Sequence, residues 1–157
     1  MAIPLERDVI NLINSPTTLK ALGTVTKDGV PHLAIKDSFW VNDEGQLLYL
    51  EFLESSQTNQ NMIASLWFDR QVSVLLLGAD RARAGYQIKG KPIKVLVAGP
   101  VFRAQYERIR RLPGDQDLAG VWIIEPDAVV DQTLAARRKT EENIHPYFRH
   151  LDRIVKK

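Results

Sequence analysis

Apolar residues at Leu5, Val9, Leu12 and Ile13 recur at the spacing of one helical face. Pro4 suits the first turn of that helix, where a missing N–H costs nothing, and Asn14-Ser15-Pro16 ends it. The pattern then changes to that of strands. Residues 21–26 predict a first strand. Lys27-Asp28-Gly29 predicts a tight hairpin turn, and residues 30–41 predict the return strand. A second turn at Asn42-Asp43-Glu44-Gly45 leads to a third strand over 47–52. Next, Met62, Ile63, Leu66 and Trp67 share a helical face behind the capping residues Ser55, Ser56 and Thr58, and Asp69-Arg70 ends that helix. The apolar run 72–77 predicts a buried strand. A loop over 78–85 follows, and then a long strand over 86–98, bent where Gly90 and Pro92 disrupt a regular ladder. Gly99-Pro100 opens a third helix with Phe102, Tyr106 and Ile109 on one side, and Pro113-Gly114 closes it. Residues 119–126 predict the last strand. Around 133–140 the chain turns polar and basic, and after His145-Pro146 a short helix places Tyr147, Phe148, Leu151, Ile154 and Val155 on one face.

Hairpin connections between the first strands argue for antiparallel pairing. Six strands in so small a unit are best accommodated when the sheet closes on itself and removes its edges. The expected class is therefore mainly β with flanking helices, a six-stranded antiparallel barrel over residues 1–132. A helical extension over 133–157 would pack on the barrel or on a second subunit.

Composition narrows the chemistry. The 157 residues are 45% hydrophobic and 25% charged, which fits one domain with an ample core. The absence of cysteine excludes thiol catalysis and Cys-ligated metal or iron–sulfur centres. A net charge of +2 gives no basis for a nucleic-acid partner, and the arginines at 103, 108, 110 and 111 read as a solvated helix face. No stretch reaches the length of a membrane-spanning helix and the N-terminus lacks a secretory pattern, so a cytoplasmic protein is expected. His145 and His150 do not share a helical face and His32 is distant, so no metal site is expected. No Ser-His-Asp order, Walker motif or GxGxxG is present.

Ser55, Ser56, Gln57 and Thr58 stand at a helix entry, with Asn61 one turn further in. Such an end offers free N–H groups to a phosphate, and the same residues serve equally as ordinary caps. Lys36 and Lys89 are either rim lysines with their ammonium groups in water or contacts to an anionic ligand. Phe39, Trp40 and Trp122 are core residues or flank a planar ring.

Three stretches carry a resemblance. They are the hairpin from Leu22 through Gly29 to Pro31-His32, the turn Ser55-Ser56-Gln57-Thr58-Asn59-Gln60-Asn61-Met62, and the strand Tyr86-Gln87-Ile88-Lys89-Gly90. In this order they resemble the pyridoxamine-phosphate oxidase-like family of FMN-binding split barrels, over roughly residues 17 to 130. The resemblance implies a split barrel that binds FMN in a homodimer, with Lys36, Ser55, Ser56, Gln57, Thr58, Asn61, Lys89 and Trp122 toward the cofactor. It implies flavin-dependent oxidoreductase chemistry on an unknown small molecule. Where Gln57 stands the family commonly places a cation for the phosphate; Lys36, Lys89, Lys91, Arg81 and Arg83 are candidate substitutes. That departure keeps open a split barrel for another cofactor, F420 or haem, and a non-catalytic electron-transfer or binding module.

Overall fold

A computed structural model describes residues 2–80 and 84–145. Arg81, Arg83 and the amphipathic segment expected after His145 lie outside the described residues. The elements in chain order are α1 (Arg7–Asn14), β1 (Leu19–Val25), β2 (Pro31–Ile35), β3 (Trp40–Val41), β4 (Leu47–Glu51), α2 (Gln57–Trp67), β5 (Val72–Leu77), β6 (Gly85–Leu96), α3 (Pro100–Arg110), β7 (Gly120–Asp131) and α4 (Leu134–Ile144). The seven strands form one curled antiparallel sheet in the order β2-β1-β5-β6-β7-β4-β3.

Alternation along the strands divides the apolar residues between two cores. Leu22, Val74, Leu76, Ile88, Trp122 and Ile124 point to the concave side. There Leu5, Val9 and Ile13 from the α1 region and Met62 from α2 pack against them. Leu48, Leu50 and Val121 point outward and meet Ile109 of α3. β4 therefore serves both cores, which is why its apolar run is continuous. Full burial of a side chain the size of Leu22 or Ile124 contributes roughly 1.5–3 kcal/mol.

The expected return strand over 30–41 is two strands, so the sheet has seven rather than six. β2 pairs with β1, and β3 pairs with β4. These strands lie at opposite ends of the sheet order. The four residues between them cross from one edge to the other, and side chains replace the ladder there. Ser38 Oγ accepts from the Leu50 N–H at 3.0 Å and donates to the Leu50 carbonyl at 3.3 Å. Lys36 Nζ reaches both carboxylate oxygens of Glu51, at 3.1 and 2.9 Å. The Glu51 side chain is 2% exposed and that of Lys36 15%.

Two further boundaries move. Pro4 precedes α1 rather than starting it, and Glu6 is the N-cap residue. β7 continues past Pro126, where a proline should have stopped the ladder. Pro126 stands opposite Gly90, beside a register shift between Lys89 and Gly90, and a bulge tolerates a residue without an N–H. A side chain on Gly90 would fall on the Glu125 carbonyl oxygen. Residues 134–144 of the expected extension form α4 directly, with the Thr133 side chain accepting from the Ala136 N–H, and no α4 residue is buried.

Two stability outcomes follow. Gly90→Ala should cost about 1–3 kcal/mol in urea denaturation, the range for overpacking a closed site; unchanged stability would show that the bulge has room. Lys36→Ala leaves a buried carboxylate without its cation and should cost about 3 kcal/mol. The paired replacement Lys36→Met with Glu51→Leu should recover most of that loss, because both charges leave together.

Candidate functional site

Five residues separate the end of β4 from the start of α2, and the cap sets the helix direction. Ser56 Oγ accepts from the Asn59 N–H at 3.0 Å. Sequence periodicity assigned Met62, Ile63, Leu66 and Trp67 to the packed face. Of these only Met62 is buried, and Trp67 is 80% exposed. The helix instead turns a largely polar face inward: Thr58, Asn59, Asn61, Met62 and Ser65. The barrel wall supplies matching groups. Asn61 Nδ2 donates to Thr24 Oγ1 on β1 at 2.9 Å, and Asn61 Oδ1 accepts from Gln57 Nε2 at 2.8 Å. Trp122 Nε1 on β7 donates to Asn59 Oδ1 at 2.9 Å, while Asn59 Nδ2 donates to the Glu54 carbonyl at 2.8 Å. Thr58 Oγ1 and His32 Nε2 on β2 lie 3.2 Å apart. A buried polar group left alone costs several kcal/mol, so these pairings fix both the depth and the rotation of α2.

This arrangement sorts the expected cofactor residues. Ser55 and Gln57 are exposed at the start of α2, and Ser56 is half-buried as its cap. The backbone N–H groups of Gln57 and Thr58 have no partner among the described residues, as the first turn of a helix allows. The side chains of Thr58 and Asn61 point into the barrel, so in this geometry they anchor α2. Trp122 is wholly enclosed and its one polar atom is bonded to Asn59, which makes it core. Phe39 is likewise buried, in ring contact with Tyr49 at 5.1 Å between centroids.

The cations divide in the same way. Lys36 is held by Glu51, and Lys91 is paired with Asp69 at 2.6 Å, just past the other end of α2. Lys89 is exposed on the outward side of the sheet, opposite Ser73 and Ala128, while α2 packs on the concave side. Lys89 and Lys91 therefore stand away from the first turn of α2. Two residues passed over in the sequence matter there. His32 joins β2 to that turn. Glu51 lies buried against Lys36 and accepts from the Leu53 N–H on the way to that turn, and a lone carboxylate at the end of the apolar run 47–51 was its signal. Burial, with the Glu51 carboxylate nearby, pushes the Tyr49 phenol far above its ordinary value, so it stays neutral. No group of three His, Cys, Asp or Glu side chains among the described residues is placed to hold a metal ion.

The outward side of β2 is apolar and bare. Leu33 is 69% and Ile35 65% exposed, and β2 is an edge strand. Val25 and Val30 beside them are exposed too. The helix end and this apolar edge therefore share one strand, with His32 facing the first and Leu33 the second.

Comparison with known proteins gives structural likeness alone. No protein-family model matches the chain, and a search of curated proteins finds no relative. Among solved structures, Group A Streptococcus HupZ matches with a TM-score of 0.66 at 20% identity, over 83% of this chain and 95% of that one. An FMN-binding protein from Syntrophomonas wolfei matches with a TM-score of 0.62 at 15% identity, over 80% of this chain and 84% of that one. HutZ, the haem storage protein from Vibrio cholerae, matches with a TM-score of 0.58 at 18% identity, over 82% of this chain and 95% of that one. The likeness is one of fold: the chain is a split β-barrel of the kind found in FMN-binding and pyridoxamine 5'-phosphate oxidase-like proteins.

Proposed function

We propose that this protein binds FMN between two copies of itself and serves as a cytoplasmic flavin-dependent oxidoreductase. The observation that carries the reading is the junction of α2 with β2. The first turn of α2 presents two unpartnered backbone N–H groups, at Gln57 and Thr58, and the exposed hydroxyl of Ser55. A phosphate dianion fits that donor set, and the helix dipole favours it. On the other side of the same strand β2 lies the bare apolar edge of Leu33 and Ile35, which suits a flat ring system. The residues present fit both ends of FMN, and the bound flavin would supply hydride and electron transfer. The chain's part is to seat the phosphate at Ser55, Gln57 and Thr58, and to keep water from the ring.

A single subunit leaves one side of such a ring open. An apolar edge strand of this exposure is a pairing surface, and a second copy of the same strand is complementary to it by symmetry. The fold likeness to an FMN-binding protein supports the cofactor. A haem-binding reading draws support from the likeness to HutZ and from the neutral Gln57.

Ligand released by heat from purified protein should run as FMN in chromatography; haem, or a colourless protein that takes up no added FMN, would sink the reading. Gln57→Lys restores a cation beside the phosphate and should tighten FMN binding by about 1.5–3 kcal/mol, the value of a hydrogen bond to a charged group. No change in affinity would place the phosphate elsewhere. The double variant Leu33→Asp with Ile35→Asp should sediment as a monomer and retain less flavin. A variant that stays dimeric would move the interface off β2.

A further inference from the structure

The outward face at the other edge of the sheet carries a second feature. The register places Trp40 of β3, Leu48 of β4, Ile123 of β7 and Lys94 of β6 in one cross-strand row. The adjoining row, Leu50 and Val121 with Leu96, lies in the core beneath α3. In the Trp40 row Leu48 is buried in that same core, while Trp40 and Ile123 are half-buried at its margin and Lys94 is exposed. The row lines a groove of about 500 Å³ walled by Val101 and Gln105 of α3, with Glu44 of the β3–β4 turn at its rim. That volume is in the range of small-molecule sites.

The groove is graded from end to end. Three strand spacings separate β3 from β6, so the backbones of Trp40 and Lys94 lie about 14 Å apart across the sheet. Between them lie only aliphatic side chains. Lys94 is exposed and has no hydrogen bond or ion pair among the described residues. Glu44 is also exposed, and its carboxylate has no such partner. One free cation and one free anion at opposite ends give the groove a direction. An anionic group is attracted to the β6 end and repelled from the β3 end. An aromatic ring gains most over the indole of Trp40.

We infer that this groove binds an elongated small molecule with an aromatic ring at one end, an apolar connector, and a carboxylate or similar anion at the other. The ring lies against Trp40, the connector on Leu48 and Ile123, and the anion at Lys94. This site is on the opposite face of the sheet from the polar face of α2, and it does not depend on the flavin reading. The order of its parts is set by the residue row itself.

Isothermal titration calorimetry with N-dansyl-6-aminohexanoate and its methyl ester tests the assignment directly. The two probes share ring and connector and differ only in the terminal charge. The acid should bind at least tenfold more tightly than the ester. Lys94→Ala should remove that gap while leaving the ester unchanged, and Lys27→Ala, in the distant β1–β2 turn, should preserve it. Trp40→Ala should weaken both probes at least tenfold. Equal affinity of acid and ester, no heat from either, or a gap that survives Lys94→Ala would each overturn the assignment. Thermal melts of the Lys94 variant, which loses no hydrogen bond or ion pair among the described residues, should match the parent.

Discussion

Thr58, Asn59 and Asn61 enter the barrel from a single turn of α2, and each needs a polar partner inside a low-dielectric interior. The wall supplies one for each: His32 on β2, Trp122 on β7 and Thr24 on β1. Because those strands are spread across the sheet, the three bonds are satisfied together at one helix position only. The helix cannot rotate or slide without leaving buried donors and acceptors bare, at a cost of several kcal/mol. The rest of the functional surface follows from that seat. It aims the free end of α2 outward beside β2, and it leaves the hydrophobic stripe of the helix, Ile63 and Trp67, in solvent.

The same constraint explains what the sequence could and could not tell. The hairpin at Lys27-Asp28-Gly29 was legible because its chemistry is local: Gly29 adopts φ 83°, and the Thr26 N–H bonds to the Val30 carbonyl. The bend in β6 was legible for the same reason, since only glycine fits at position 90. The buried face of α2 was not. Apolar spacing names a face only when the surface it meets is apolar, and here the wall offers an imidazole, an indole N–H and a hydroxyl. The split of residues 30–41 was hidden too. It depends on Lys36 finding Glu51, fifteen residues later, and on Ser38 standing in for a backbone pair. Such a local departure from pattern, with a polar helix face buried in a barrel, is expected where function constrains the fold.

The helix entry over residues 55–58 is where the sequence placed it, with the Gln57 and Thr58 N–H groups unpartnered among the described residues. Lys36, Thr58, Asn61 and Trp122 are bonded to Glu51, His32, Thr24 and Asn59 in turn, while Leu33 and Ile35 lie exposed on β2. Lys36 pairs with the buried Glu51 carboxylate, a partner fifteen residues away that residue type alone does not name.

The central claim is that the junction of α2 and β2 is a flavin seat closed by a second subunit. A crystal structure of the protein grown with FMN tests it most directly. The account predicts the phosphate within hydrogen-bond distance of the Gln57 and Thr58 N–H groups, with the ring against Leu33 and Ile35 and covered by the symmetry-related copy. A phosphate bound away from the first turn of α2, or a ring that touches one subunit only, would contradict it.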